Sequence, residues 1–197
     1  MIKAIICDAD GMLINGDMFS LHLAQKYGIS KDKMDTFFTG EFQDCLVGKC
    51  DLRDVISKYL ASWGLRKSVD DLLREWFEFE HHIDEDLVKY LNILRHKGIK
   101  VYLATNQEKH RTQYMLDKME FEKFFDGIFS SAYLGHKKPN REFFERVLDK
   151  MKGIQVNEVL FWDDQQKNID GAKAFGFNAE LYVGFSKFKT SIERYLQ

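Results

Sequence analysis

The chain has 197 residues, 45% hydrophobic and 30% charged, which is room for one full-sized domain or a core with a modest insert. Its 29 basic residues nearly cancel its 31 acidic ones, and a net charge of −2 argues against a nucleic-acid or anionic-membrane binder held by bulk charge. A single proline makes disorder and proline-rich linkers a poor fit, and no apolar run is long enough to span a bilayer.

The N-terminal stretch MIKAIICDADG has a very short apolar run and no small-residue cleavage site, so it does not read as a signal peptide. Lys3 to Cys7 reads instead as a buried strand ending at Asp8. From Asn15 to Asp86 the pattern is helical. Leu52, Val55, Ile56, Tyr59, Leu60 and Trp63 recur at helical spacing behind Asp51 as N-cap. Ser68 opens a further helix carrying Leu72, Leu73, Trp76 and Phe77. This aromatic density predicts a small packed helical module. Phe37, Phe38 and Phe42 are expected either inside it or on its face toward the rest of the chain. Cys7, Cys45 and Cys50 are odd in number and lack the spacing of a zinc or thioredoxin motif, so reduced thiols in a cytoplasmic protein are the simplest account.

After residue 86 strands and helices alternate. Helices are expected over 87–97, 109–119, 139–150 and 168–175, with Pro139 at the first position of the third. Strands are expected over 100–104, 127–130, 159–162 and 179–182. Such alternation implies a parallel sheet covered on both faces. The reading is therefore one α/β core, residues 1–14 and 87–197, interrupted after its first strand by a helical insert over residues 15–86.

Polar clusters fall at the C-terminal strand ends: Asp8 with Asp10, Thr105 with Asn106, and Asp163 with Asp164. Lys137-Lys138-Pro139 lies on a loop that opens a helix. In an open parallel sheet, ligands bind in the crevice beyond those ends. Each cluster alone is an ordinary turn or cap. Their joint placement predicts one site.

DADGMLI (Asp8 to Ile14), LATN (Leu103 to Asn106), KKP (Lys137 to Pro139) and FWDDQQKNIDGAKAFG (Phe161 to Gly176) resemble, in order, the four motifs of the haloacid dehalogenase-like hydrolase superfamily. Met12 and Asn15 depart from residues often found there, which bears on subfamily rather than chemistry. The resemblance implies a three-layer, Rossmann-like core with residues 15–86 as a small helical cap domain. It also implies a Mg²⁺-dependent phosphatase acting on a small phosphorylated metabolite such as a sugar phosphate or nucleotide. Asp8 is then the nucleophile and Asp10 the general acid and base, with Thr105, Asn106 and Lys138 on the phosphoryl oxygens. Mg²⁺ is expected on the side chains of Asp8 and Asp164 and the backbone carbonyl of Asp10, with Asp163 orienting a metal water or Lys138.

The charge balance fits independently. With Asp10 protonated, the carboxylates of Asp8, Asp163 and Asp164 are offset by Mg²⁺ and Lys138, leaving a near-neutral pocket that accepts phosphate. Asn168 is expected to cap its helix and touch Asp164. Gly171 and Ala172 are expected to be small where their helix meets the sheet. Lys137 and Asp170 read as solvated. Gly48-Lys49-Cys50 lacks the glycine, hydroxyl residue and strand of a P-loop, yet Lys49 remains a candidate substrate contact from the cap. The histidines, His81 and His82 included, are scattered or face different ways. A phosphomutase is the nearest alternative, ahead of a receiver-like phospho-switch and a non-catalytic binding protein. Dehalogenase activity is disfavoured because Asp10 is present. No nucleic acid or membrane partner is expected, and a monomer or homodimer fits equally.

Overall fold

The core strands are short apolar runs: β1 (Ala4–Cys7), β2 (Lys100–Thr105), β3 (Gly127–Ser130), β4 (Val159–Asp163) and β5 (Asn178–Leu181). In the computed structural model, which describes residues 1–196, they form one parallel sheet in the order β3-β2-β1-β4-β5. Ile5 in the central strand pairs with Val101 on one side and Leu160 on the other.

Alternation along β1 sends Ile5 and Cys7 to one face and Ala4 and Ile6 to the other. The first face packs under α6 (Glu85–His96), α7 (Lys109–Asp117) and α11 (Phe185–Leu196), through Leu87, Leu91, Met115 and Phe188. The second packs under α9 (Arg141–Lys150) and α10 (Gln166–Phe175), through Phe143, Phe144, Val147 and Ile169. A short helix α8 (Ser131–Leu134) follows β3 directly. Each fully buried phenylalanine here contributes about 1.5–3 kcal/mol relative to an exposed one. The result is the three-layer α/β arrangement that alternating strands and helices predict.

Between β1 and α6 lie α1 (Phe19–Tyr27), α2 (Lys31–Phe38), α3 (Phe42–Cys45), α4 (Leu52–Leu60) and α5 (Val69–Phe79). They build their own apolar cluster around Phe37, Ile56, Leu72 and Trp76. Phe37 is fully buried there, edge-on to Phe38, Tyr59 and Trp63, and Phe42 packs beside it. These phenylalanines thus serve the interior of the insert. The chain enters and leaves it along adjacent segments: Asn15 N donates to His82 O at 2.8 Å and Asp84 N to Leu13 O at 2.9 Å.

Several boundaries differ from expectation, each for a local reason. Helix α6 starts at Glu85, not Leu87, because the Asp84 carboxylate caps it by accepting from Leu87 N at 2.9 Å. Helix α9 starts at Arg141 behind Asn140, so Pro139 lies before the helix, in a cis peptide with Lys138. Helix α10 starts at Gln166, which places Asn168 inside it rather than at its cap. A Cβ on Gly171 would meet Pro139 O at 2.6 Å, so this glycine makes room for the loop before α9 rather than for the sheet. Ala172 does face the sheet.

Candidate active site

From β1 the chain proceeds outward to β2 and β3 on one side, and later to β4 and β5 on the other. The reversal opens a crevice beyond the carboxyl ends of β1 and β4. Asp8 follows β1, Asp163 ends β4 and Thr105 ends β2, so the sheet itself brings these residues to one edge.

Lys138 is the hub. The residue is 2% exposed, and its ammonium donates to Asp163 Oδ2 at 2.6 Å and to the Ala104 carbonyl at 2.8 Å and is ion-paired with Asp8 Oδ1 at 2.8 Å. Burial works against the charge, but Asp8 and Asp163 outweigh it and hold Lys138 above the ordinary lysine range. Asn106 aims this side chain from behind: its Oδ1 accepts from Lys138 N at 2.8 Å and its Nδ2 donates to Lys138 O at 3.0 Å. Asn106, expected on the phosphoryl oxygens, thus has its carboxamide oxygen and one amide proton on the Lys138 backbone.

Asp163 is fully buried and saturated. Besides Lys138 it accepts from Gln165 N at 2.8 Å and from Asn168 Nδ2 at 2.9 and 3.0 Å. Asn168 therefore serves Asp163, where Asp164 was expected. Asp8 Oδ1 accepts from Ala9 N at 2.7 Å in addition to Lys138, while Oδ2 has no protein partner among the described residues. The Thr105 hydroxyl is likewise without a protein partner among the described residues, although the residue is buried.

One oxygen each from Asp8, Asp163 and Asp164 lies within 4.8 Å of the others. Three carboxylates against one ammonium leave a local excess of two negative charges when all are ionised. Burial pushes the Asp8 carboxyl up, opposed by Lys138 and reinforced by Asp163. Asp164 is more open, and partial desolvation by the surrounding protein, then Asp163, push its carboxyl up. Hard oxygen donors with uncompensated negative charge fit a small divalent cation. No thiolate competes, since burial lifts the neighbouring Cys7 thiol far above its usual range.

Asp10 is carried on a tight turn in which Leu13 N and Ile14 N both donate to Ala9 O at 2.8 Å. Gly11 holds φ +76° at the tip, and a Cβ there would collide with the Asp164 carboxylate. Asp10 stays open to the crevice, yet crowding by protein on its other sides raises its pKa, against Arg111, Lys138 and a hydrogen bond from Gln107. That bond runs from Gln107 Nε2 to Asp10 Oδ2. The Gln107 backbone is anchored in turn, its carbonyl accepting from Ser130 Oγ at 2.9 Å.

Gln107 and Arg111 are absent from the sequence-based site. Gln107 stands two residues beyond Thr105, close enough to its strand end to have been considered. Arg111 carries no such signal. It is buried on α7 and reaches the end of α5, donating to Phe77 O at 2.9 Å and Glu80 O at 3.1 Å. Lys137 is not merely solvated, because it donates to Gln43 of the insert. Lys49, expected as a substrate contact from the cap, is exposed and pairs with Asp44 at 3.5 Å.

A model of the haloacid dehalogenase-like hydrolase family matches residues 5–180. Over 187 residues the chain is 26% identical to a D-ribitol-5-phosphate phosphatase from Bacteroides thetaiotaomicron, covering 90% of each. A sesquiterpene phosphatase from Aspergillus oryzae is 37% identical over 97 residues, so the match spans only 47% of either protein. Among solved structures, a HAD family enzyme from Bacteroides thetaiotaomicron in complex with magnesium and inorganic phosphate shares the fold with a TM-score of 0.79. That likeness has 22% identity and covers 92% of this chain and 94% of the other.

Proposed function

The chain belongs to the haloacid dehalogenase-like hydrolase family, and on that premise we propose that it is a Mg²⁺-dependent phosphatase of a small phosphorylated metabolite. The observation that carries this reading is the Lys138 ammonium seated between Asp8 and Asp163, with Asp164 beside them. One lysine cannot neutralise this cluster, and a phosphate monoester brings further negative charge.

Asp8 and Asp164 would hold the cation with their side chains, and Asp10 with its backbone carbonyl. Bound there, Mg²⁺ neutralises charge on the phosphoryl oxygens. Asp163, saturated by Lys138, Gln165 and Asn168, stands behind as the anchor of the lysine.

Asp8 Oδ2, free of protein donors, attacks phosphorus, and an aspartyl-phosphate forms as the ester P–O bond breaks. Asp10 gives its proton to the departing alkoxide; its raised pKa favours that protonated state. Asp10 then takes a proton from the water that hydrolyses the aspartyl-phosphate and frees inorganic phosphate. The Thr105 hydroxyl and the Lys138 ammonium hold phosphoryl oxygens through both steps. Asn106 contributes by fixing Lys138.

The helical insert is read as a cap over the crevice, tied to the core by Ser131 Oγ on Leu46 O, His110 on Asp51 and Lys137 on Gln43. A site roofed this way favours small esters over folded phosphoproteins. The named activity of the ribitol-phosphate relative supports a phosphorylated carbohydrate as the first class to assay. A phosphorylated-metabolite panel with Mg²⁺, using Asp8→Asn as the blank, tests the reading. Release of phosphate by the wild type alone supports it, and equal release by Asp8→Asn removes it.

A further inference from the structure

Cys45 and Cys50 show no pattern in sequence, but the fold places their sulfurs 3.0 Å apart. Between them the chain turns back on itself. Gly48 N donates to Cys45 O at 3.0 Å and Lys49 N to Asp44 O at 3.0 Å, with Gly48 at φ +72°. The turn is also where the helical insert meets the core. Leu46 O accepts from Ser131 Oγ, and Gly48 lies so close to Ala132 O that a Cβ would collide with it. Asp51, the residue after Cys50, holds His110 at 2.8 Å. The two sulfurs therefore bracket the segment that seats the insert on α7 and α8.

We propose that Cys45 and Cys50 form a reversible dithiol–disulfide site that fixes this docking turn when oxidised. A disulfide's sulfurs lie about 2 Å apart, so bond formation needs about 1 Å of sulfur approach. The sulfurs differ in access. Cys45 is 1% exposed, and burial pushes its thiol well up, so it stays protonated until used. Cys50 is only part-buried and is the sulfur an external reagent reaches. The co-reactant is a small disulfide such as oxidised glutathione. The Cys50 thiolate attacks one of its sulfurs, its S–S bond breaks, and one glutathione thiolate leaves. The Cys45 sulfur, losing its proton to solvent, then displaces the second glutathione from Cys50. In total, two protein thiols and one glutathione disulfide become one protein disulfide and two glutathiones. Cys7, fully buried in β1, takes no part.

The site stands apart from the phosphatase reading, and its test does not use activity. The native full chain is equilibrated with a glutathione mixture poised toward oxidation, then alkylated and digested with trypsin. Cleavage at Lys33, Lys49 and Arg53 separates peptide 34–49 from peptide 50–53. The expected product is these two peptides joined, in a protein lighter by two hydrogen atoms, with Cys7 alkylated. Cys45→Ser should instead retain one glutathione on Cys50, and Cys50→Ser should take up none. Native tryptic cleavage after Lys49 should slow several-fold on oxidation and recover on reduction. Stable glutathione on Cys50 of the wild type, or no joined peptides at full oxidation, would overturn the site. An unchanged cleavage rate in the joined form would overturn its hold on the docking turn.

Discussion

Asn106 grips Lys138 by its backbone, accepting its N–H at 2.8 Å and donating to its carbonyl at 3.0 Å. The lysine that joins Asp8 to Asp163 is thus aimed by a side chain at the end of β2. Asn106→Ala leaves both backbone groups without these partners, at about 1–3 kcal/mol. It should lower the melting temperature by several degrees and kcat/KM for the best phosphate ester by about tenfold or more. Thermal melts and initial rates check this, and unchanged values in both would show that the grip does nothing.

Lys138→Met should be more damaging, because it leaves Asp8 and Asp163 facing each other in a buried space. Breaking such a pair costs about 3–5 kcal/mol. The double substitution Lys138→Met with Asp163→Asn should recover part of that stability, since one stranded charge is removed, while phosphatase activity stays absent. Urea unfolding of the three proteins measures the recovery. A double variant no more stable than the single one would contradict the pairing.

Cation binding and pH should be linked. The carboxyls of Asp8, Asp10 and Asp164 are all pushed up in the folded protein, Asp8 by burial and the two more open ones by the protein crowded around them. A carboxyl with a raised folded pKa binds more protons in the native state, so its contribution is most favourable below about pH 4 and declines as pH rises toward the folded pKa. Without cation, this cluster therefore costs stability on going from acid toward neutral pH. Mg²⁺ takes the ionised form, so its stabilising effect should grow over that range. Melts with EDTA or Mg²⁺ should show a larger Mg²⁺-dependent rise at about pH 7.5 than at about pH 5, and Asp164→Asn should shrink the difference. Equal rises in the wild type would contradict the cluster's role.

Much of the core was legible because parallel strands buried on both faces leave apolar runs such as Ala4–Cys7 and Val159–Asp163. The convergence of Asp8, Asp163 and Asp164 followed from their positions at strand ends, and Lys138 joins them from the loop before α9. What the residues do for one another was less legible. Nothing local says that Asn106 binds the Lys138 backbone or that the Asn168 amide nitrogen serves Asp163, because those partners lie on other elements. The starts of α6 and α10 were missed because Asp84 outranks apolar periodicity as a cap, and because Gln166 and Lys167 give no apolar signal. The Cys45–Cys50 proximity depends on the left-handed turn at Gly48, which spacing alone does not reveal.

Gln107 holds Asp10 through its carboxamide, and the account gives Asp10 the protonation of the leaving group. Gln107→Ala should therefore slow an alkyl phosphate by about tenfold and p-nitrophenyl phosphate far less, because a nitrophenolate departs with little need of a proton. Comparison of kcat for the two esters checks this. An equal loss on both would mean that Gln107 acts on something other than the acid.

The central claim is that the phosphoryl group passes through Asp8. The most direct measurement quenches the enzyme during turnover with Mg²⁺ and a substrate from the panel, then reduces it with borohydride. An acyl phosphate is converted by this treatment to an alcohol, so Asp8 should be read by peptide mass spectrometry as homoserine. The label should be confined to position 8 and absent from Asp8→Asn and from enzyme without substrate. Substrate-dependent homoserine at another aspartate, or turnover with none at position 8, would contradict the account.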